Sequence, residues 1–239
     1  APGRVQPNGA RAVPIDPVAH SRHAEGSTGN QCVSCHMPTT TYMQRAPRHD
    51  HGWLKPDPLL TKELGIPNAC SRCHEDKPIE WLIAKTDDWY GAKMDSRQRA
   101  RARAVAAAQS GEDGAMEKLL AVLESEDIPA WRATYLGLLV PQGSDVQVRR
   151  AAQGSLGAPD PLERAAAVQL LSGAPDAAAL LTPALKDPVR LVRLDAAWAL
   201  SPTLPADSEE RRELDAYLAI ALDQPAGRLR LGQDLANRG

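Results

Sequence analysis

The chain has 239 residues, 43% of them apolar, and a formal net charge of −2, which is enough for one large domain or two modest ones with a sizeable core. So slight a charge gives no global electrostatic pull toward nucleic acid or a membrane surface. No stretch approaches the roughly 20 apolar residues of a membrane span.

Composition divides the chain. All four cysteines and all six histidines lie before residue 77, among many Pro, Gly, Thr and Asn and few apolar residues. Such a segment struggles to offset its chain entropy by side-chain burial alone. The rest is rich in Ala, Leu, Arg and Asp and carries helical periodicity. The expected organisation is an extended N-terminal arm over residues 1–19, a small irregular module over 20–76, and a helical-repeat domain over 77–239. The fold class expected is mainly α.

In chain order, the first chemical signal is Gln31-Cys-Val-Ser-Cys-His36, repeated as Ala69-Cys-Ser-Arg-Cys-His74. Zinc sites of four thiolates usually leave about 15–20 residues between their pairs. Here 34 residues separate Cys35 from Cys70, and zinc gives no reason for the adjacent histidines. A redox dithiol needs a β-α-β context that is missing. Covalent haem c accounts for every element: Cys32 with Cys35, and Cys70 with Cys73, bind the two porphyrin vinyl groups, and His36 and His74 lie beneath the irons as proximal ligands. Two haems c would also supply the apolar bulk that residues 20–76 lack.

Each iron then needs a sixth ligand or an open position. His20, His23, His49 and His51 remain, a surplus that favours bis-His coordination, although surface solvation is the ordinary role of any single histidine. Met43 is a further candidate, since a thioether ligand raises the potential.

The stretch from His23 through Cys32, Cys35, His36 and Pro38 to Met43 resembles a family of periplasmic or exported multihaem cytochromes fused to tetratricopeptide repeats. The likeness continues through Asp50-His51-Gly-Trp53, Pro56-Asp57, Leu64-Gly-Ile-Pro-Asn-Ala-Cys70, Trp81 and Trp89-Tyr90-Gly91, covering about residues 20–91. It implies that His23, nine residues before the first Cys, and His51 of the Asp-His pair are distal ligands. Where that family has Arg before Asp-His this chain has His49, so an exchange between His49 and His51 stays open. The resemblance does not say which distal histidine serves which haem.

From Lys77 onward the pattern is helical. Residues 80–90 form one amphipathic segment ended at Gly91. Arg132-Ala-Thr-Tyr-Leu-Gly-Leu-Leu139, Arg164-Ala-Ala-Ala-Val-Gln-Leu-Leu171 and Arg193-Leu-Asp-Ala-Ala-Trp-Ala-Leu200 align at spacings of 32 and 29 residues. Asp160-Pro161 and Asp187-Pro188 place an acidic N-cap before a first-turn proline. Together these suggest a HEAT-like α-solenoid, with an irregular helical bundle as the alternative. In the resembling family, sequence like Arg228-Leu-Arg-Leu-Gly leads into a tetratricopeptide array, so the expectation is a chain cut before that array or a short natural member. Arg97, Arg99, Arg101 and Arg103 fall on one predicted helix, as a solvated face beside acidic neighbours or a docking surface for an acidic redox partner. Trp53 and Trp81 are candidates to lie against a haem.

The function expected is single-electron relay through two bis-His haems, with the helical array as scaffold, rather than catalysis. The alternatives are a haem enzyme with an open coordination site, acting on nitrite, hydroxylamine or peroxide, and an assembly subunit of a larger electron-transfer complex or filament. Expected partners are redox proteins, such as other multihaem cytochromes or a membrane-bound complex, with self-assembly a further option and no nucleic acid. Covalent haem attachment takes place outside the cytoplasm, so a periplasmic or cell-surface location is expected. The missing signal peptide is then explained by removal.

Overall fold

The structure, a computed structural model, describes residues 14–94 and 96–238. Most of the expected N-terminal arm therefore lies outside the described residues. The chain is mainly α and divides into two compact units, 1–99 and 100–239. No described helix is long and apolar enough to cross a membrane.

The first unit begins with α1 (Pro17–Ser21), capped by the Asp16 carboxylate, which accepts from the Val18 and Ala19 N–H groups. Arg22 ends it in the left-handed region at φ 59°. The first Cys-x-x-Cys-His motif is itself a helix, α2 (Cys32–His36). A hairpin follows, β1 (Thr39–Tyr42) antiparallel to β2 (Ala46–His49), with Thr39 opposite His49 and Tyr42 opposite Ala46. Met43 and Gln44 turn it with φ of 48° and 64°. Next, α3 (Pro58–Leu64) is capped by Asp57 and ended by Gly65 at φ 70°, where a glycine avoids the Cβ penalty of the left-handed conformation. The second motif starts as a short 3-10 turn at Cys70–Arg72.

Helix α4 (Ile79–Tyr90) closes this unit against α3. Leu60 of α3 and Leu82 of α4 are buried, and Thr86 returns its hydroxyl to the Leu82 and Ile83 carbonyls. Arg99 forks onto Asp57 at 2.7 and 3.0 Å. The sequence boundary after residue 76 and the structural boundary after Arg99 differ for a physical reason. α4 has no Cys or His, yet its buried face belongs to α3 and its aromatic side chains border the histidines described below. Apart from Leu60, Ala69 and Leu82, few apolar side chains are buried here, as the composition implied.

Helix α5 (Ser96–Ser110) spans the division between the units. The second unit continues with α6 (Ala115–Ser125), α7 (Pro129–Leu138), α8 (Val146–Ser155), α9 (Pro161–Leu171), α10 (Ala177–Leu181), α11 (Arg190–Ala199), α12 (Glu209–Ala219) and α13 (Pro225–Arg238). α7 packs on α9, α9 on α11, α11 on α12 and α12 on α13. α9 buries Ala165, Ala166, Ala167, Val168, Leu170 and Leu171, so it is apolar nearly all round, the pattern of an interior helix.

The sequence echo at Arg132, Arg164 and Arg193 corresponds to a repeated device. Each is the fourth residue of its helix. Arg132 Nη1 donates back to the Leu123 and Glu126 carbonyls, Arg164 Nη1 to those of Ala158 and Pro159, and Arg193 Nη1 to those of Asp187 and Pro188. Each guanidinium also binds a carboxylate further along the chain: Glu163 at 2.8 Å, Asp187 at 2.7 and 2.9 Å, and Glu213 at 2.9 and 2.8 Å. The planar fork of Arg allows this double duty; a Lys ammonium lacks it.

Asp160 caps α9 as expected, accepting from Leu162 N–H. Asp187 does not cap α11, whose N-cap is Val189. Its carboxylate is taken by Arg164 and by the Val189 N–H at 2.8 Å, and the helix starts later.

Candidate functional site

The Cys-x-x-Cys-His histidines are each held by a local device. His36 follows from the single turn of α2, and its Nδ1–H donates to the Leu54 carbonyl at 2.9 Å. That bond commits Nδ1 and leaves Nε2 with a free lone pair, the arrangement typical of metal-binding imidazoles. Trp53 stacks on His36, with ring centroids 5.3 Å apart and planes 17° from parallel. Trp53 has φ 48°, a conformation that is unusual for a bulky residue and marks an imposed position.

At the second motif, Asn68 accepts from Ser71 N–H at 3.1 Å and donates to Thr61 Oγ at 2.8 Å. This ties the turn that carries Cys70 to α3. His74 lies 5.4 Å from Trp81, ring centre to ring centre.

Each motif histidine faces a second histidine. His20, on α1, lies 6.0 Å from His36 with planes 23° apart. His23, just after α1, lies 6.1 Å from His74 with planes 40° apart. Two metal–imidazole bonds of about 2 Å each, on opposite sides of one metal, put ring centres roughly 6 Å apart. His23 Nδ1–H donates to the Ser21 carbonyl at 2.6 Å, again leaving Nε2 available.

A cavity of about 310 Å³ in this unit is bordered by His20, His23, Cys32, Cys35, His36 and Cys70, among others. All four thiols are free. Burial first, then the neighbouring Cys73 and Cys32 thiols, raises the Cys35 thiol pKa. Burial and Cys35 push Cys70 up to about 11. The two motifs are therefore neighbours in space. Among the described residues no group of three or more His, Cys, Asp or Glu side chains is arranged to hold a metal ion.

The other candidates lie elsewhere. His51 is exposed and follows the hairpin. His49, at the end of β2, is exposed and its Nδ1 contacts the Met37 carbonyl at 2.6 Å. Met43 sits in the hairpin turn, 77% exposed. None of these takes part in a ring pairing found among the described residues. Of the four expected axial residues, the structure brings together His23 with His74, and it sets His20, a weaker candidate in the sequence, beside His36. The available signal was aromatic: Trp89 and Tyr90 at the end of α4 lie beside His23 and His20 respectively.

Of the arginines on α5, Arg99 is engaged by Asp57, and Arg101 is engaged by Glu126 and lies over the Trp131 ring. Both serve their own unit rather than an open docking face.

Paired thiols with two residues between them, an adjacent imidazole and a second imidazole at axial distance fit haem c: Cys32, Cys35 and His36 in one set, Cys70, Cys73 and His74 in the other. The class these features define is a c-type cytochrome. Residues 19–137 match the family model of cytochrome c552, which bears out covalently bound haem c with its iron. No curated protein and no solved structure matches the chain.

Proposed function

We propose that the first unit binds two haems c and that the protein is a dihaem electron carrier. Cys32 and Cys35 hold one group and Cys70 and Cys73 the other, with His36/His20 and His74/His23 as the axial pairs. When bound, haem c supplies an iron centre that changes oxidation state by one electron. The chain's part is to fix both imidazoles of each pair, to hold their Nδ1 protons on backbone carbonyls at His36 and His23, and to cover the site with Trp53, Trp81, Trp89 and Tyr90.

The observation that carries this reading is the pairing of each motif histidine with a second histidine at about 6 Å. An enzyme acting on nitrite, hydroxylamine or peroxide needs an open position at iron, and the paired imidazoles favour the carrier instead. The single cavity shared by both motifs supports close approach of the two redox centres. The helical unit then acts as a HEAT-type scaffold, a role supported by its stacked helices and repeated arginines. The working location is the periplasm or cell surface, and the partners are redox proteins such as other multihaem cytochromes or a membrane-bound complex.

Intact mass and the pyridine haemochrome test the stoichiometry, with two haem increments expected; one or none overturns it. Carbon monoxide added to the ferrous protein is expected to leave the spectrum unchanged. A shifted Soret band would reveal an open iron and move the reading to the haem enzyme.

A further inference from the structure

The two histidines placed opposite the motif histidines sit on a segment with little apolar anchorage. α1 has five residues and buries none of them. Asn30 Nδ2 donates to the Ser21 hydroxyl and the His23 carbonyl, which ties the backbone, and the last turn of α4 touches both imidazole-bearing residues. The Tyr90 hydroxyl donates to the His20 backbone carbonyl, and the Tyr90 ring lies 6.0 Å from the His20 ring. Trp89 meets His23 edge-on, at 6.3 Å and 80°.

Adjacent helical residues project about 100° apart, so Trp89 and Tyr90 cannot serve one ligand together. Their own rings are 83° from parallel, and each goes to a different histidine. α4 is a firm base for this task, since it is fastened to α3 by buried Leu60 and Leu82.

We propose that Tyr90 and Trp89 are positioning residues for His20 and His23, so that the last turn of α4 sets the axial geometry at both irons. The proposal rests on the ligand pairs of the preceding section. It gives the adjacent aromatic pair a separate assignment residue by residue. Tyr90 fixes the His20 backbone through its hydroxyl, and Trp89 limits the rotation of the His23 ring by contact. Neither touches the reacting metal, and each acts through a ligand.

The test uses the ferric holoprotein and its low-spin electron paramagnetic resonance signals, which report ligand orientation at each iron. His20→Ala and His23→Ala identify the signals, each removing one low-spin species in favour of a high-spin one. Tyr90→Phe, which keeps the ring and deletes only the hydroxyl, is expected to shift the g values of the His20 species and leave the other in place. Trp89→Leu is expected to shift the His23 species, and Trp89→Phe to restore it in part. Circular dichroism checks that helix content is retained. Unshifted signals in both Tyr90→Phe and Trp89→Leu, with the histidine variants behaving as stated, overturn the positioning role alone. Low-spin signals that survive His20→Ala and His23→Ala overturn the ligand pairs on which it rests.

Discussion

The imidazoles of His20 and His36 lie 6.0 Å apart and within 23° of parallel, although fifteen residues separate them in the chain. His23 and His74 repeat the relationship across fifty intervening residues. Two histidines three residues apart thus face two motifs far apart in sequence.

The pairing with His36 makes His20 a better candidate ligand than the exposed His51. His20→Ala is expected to turn one haem high-spin and open it to carbon monoxide, whereas His51→Ala leaves both low-spin. Ferric and ferrous absorption spectra of the two variants decide the matter. A high-spin haem in His51→Ala alone would return the assignment to the order suggested by family resemblance.

Gly29 forms the floor beneath His23. A methyl group added there would come 2.6 Å from the imidazole Cγ and 2.8 Å from Nε2, far inside contact distance. Gly29→Ala is therefore expected to displace the His23 ring and weaken its iron, with an overpacking cost of about 1–3 kcal/mol. The high-spin fraction at one haem and the denaturation midpoint measure the two effects.

Arg164 joins three segments: its own helix, the Ala158 and Pro159 carbonyls, and Asp187. Arg164→Lys keeps the charge but loses the fork, and is expected to destabilise the helical unit by about 1–3 kcal/mol. Urea denaturation followed by circular dichroism reads the change. A loss no larger than that of an exposed substitution such as Arg212→Lys would mean the device adds little.

Glu126 is expected to contribute to the acid sensitivity of the helical unit. Burial opposes its charge, but the Arg101 guanidinium and the Ile128 N–H outweigh burial and hold its carboxyl at about 2, below the ordinary 4.5. A depressed carboxyl stabilises the fold fully above its unfolded value, and that share is lost as pH falls from about 4.5 toward 2. Tyr135 has the opposite sign. Burial and then Glu126 push its phenol from 10.0 up to about 12, so its share is present below pH 10 and fades as pH rises toward 12. Glu126→Gln is expected to flatten the acid limb of a stability–pH curve, and Tyr135→Phe the alkaline limb. Acid limbs that coincide for Glu126→Gln and the parent chain would rule out this source.

A second buried pair fastens α13. Arg211 and Asp234 are almost wholly buried and bond at 2.9 and 3.0 Å. Asp234→Ala would leave the buried guanidinium only the half-exposed Asp215 carboxylate as an ionic partner, at a cost of about 1–3 kcal/mol, visible as early melting of the helical unit. A melting curve matching the parent would show that α13 is held by its apolar contacts instead.

The mainly α class was legible from Ala- and Leu-rich periodicity, and the attachment chemistry from two short motifs. Each depends on neighbours in the chain: Cys32, Cys35 and His36 share one helical turn because three residues bring side chains to the same face. The echo of Arg132, Arg164 and Arg193 was legible for the same reason, since each takes the same place in its helix. Their carboxylate partners were not, because Glu163, Asp187 and Glu213 lie at unequal distances along the chain. Which candidate histidine faces which motif was not legible in the sequence, for a related cause. A histidine's identity as a metal donor is written in its side chain, but its choice of iron depends on which backbone segments meet. Here α4 packs on α3 and brings Tyr90 and Trp89 beside His20 and His23. Sequence alone pointed to covalent haem c and to the cysteine pairs suited to hold it; tertiary packing decided which imidazoles face each other, since no local pattern encodes a contact made across the fold.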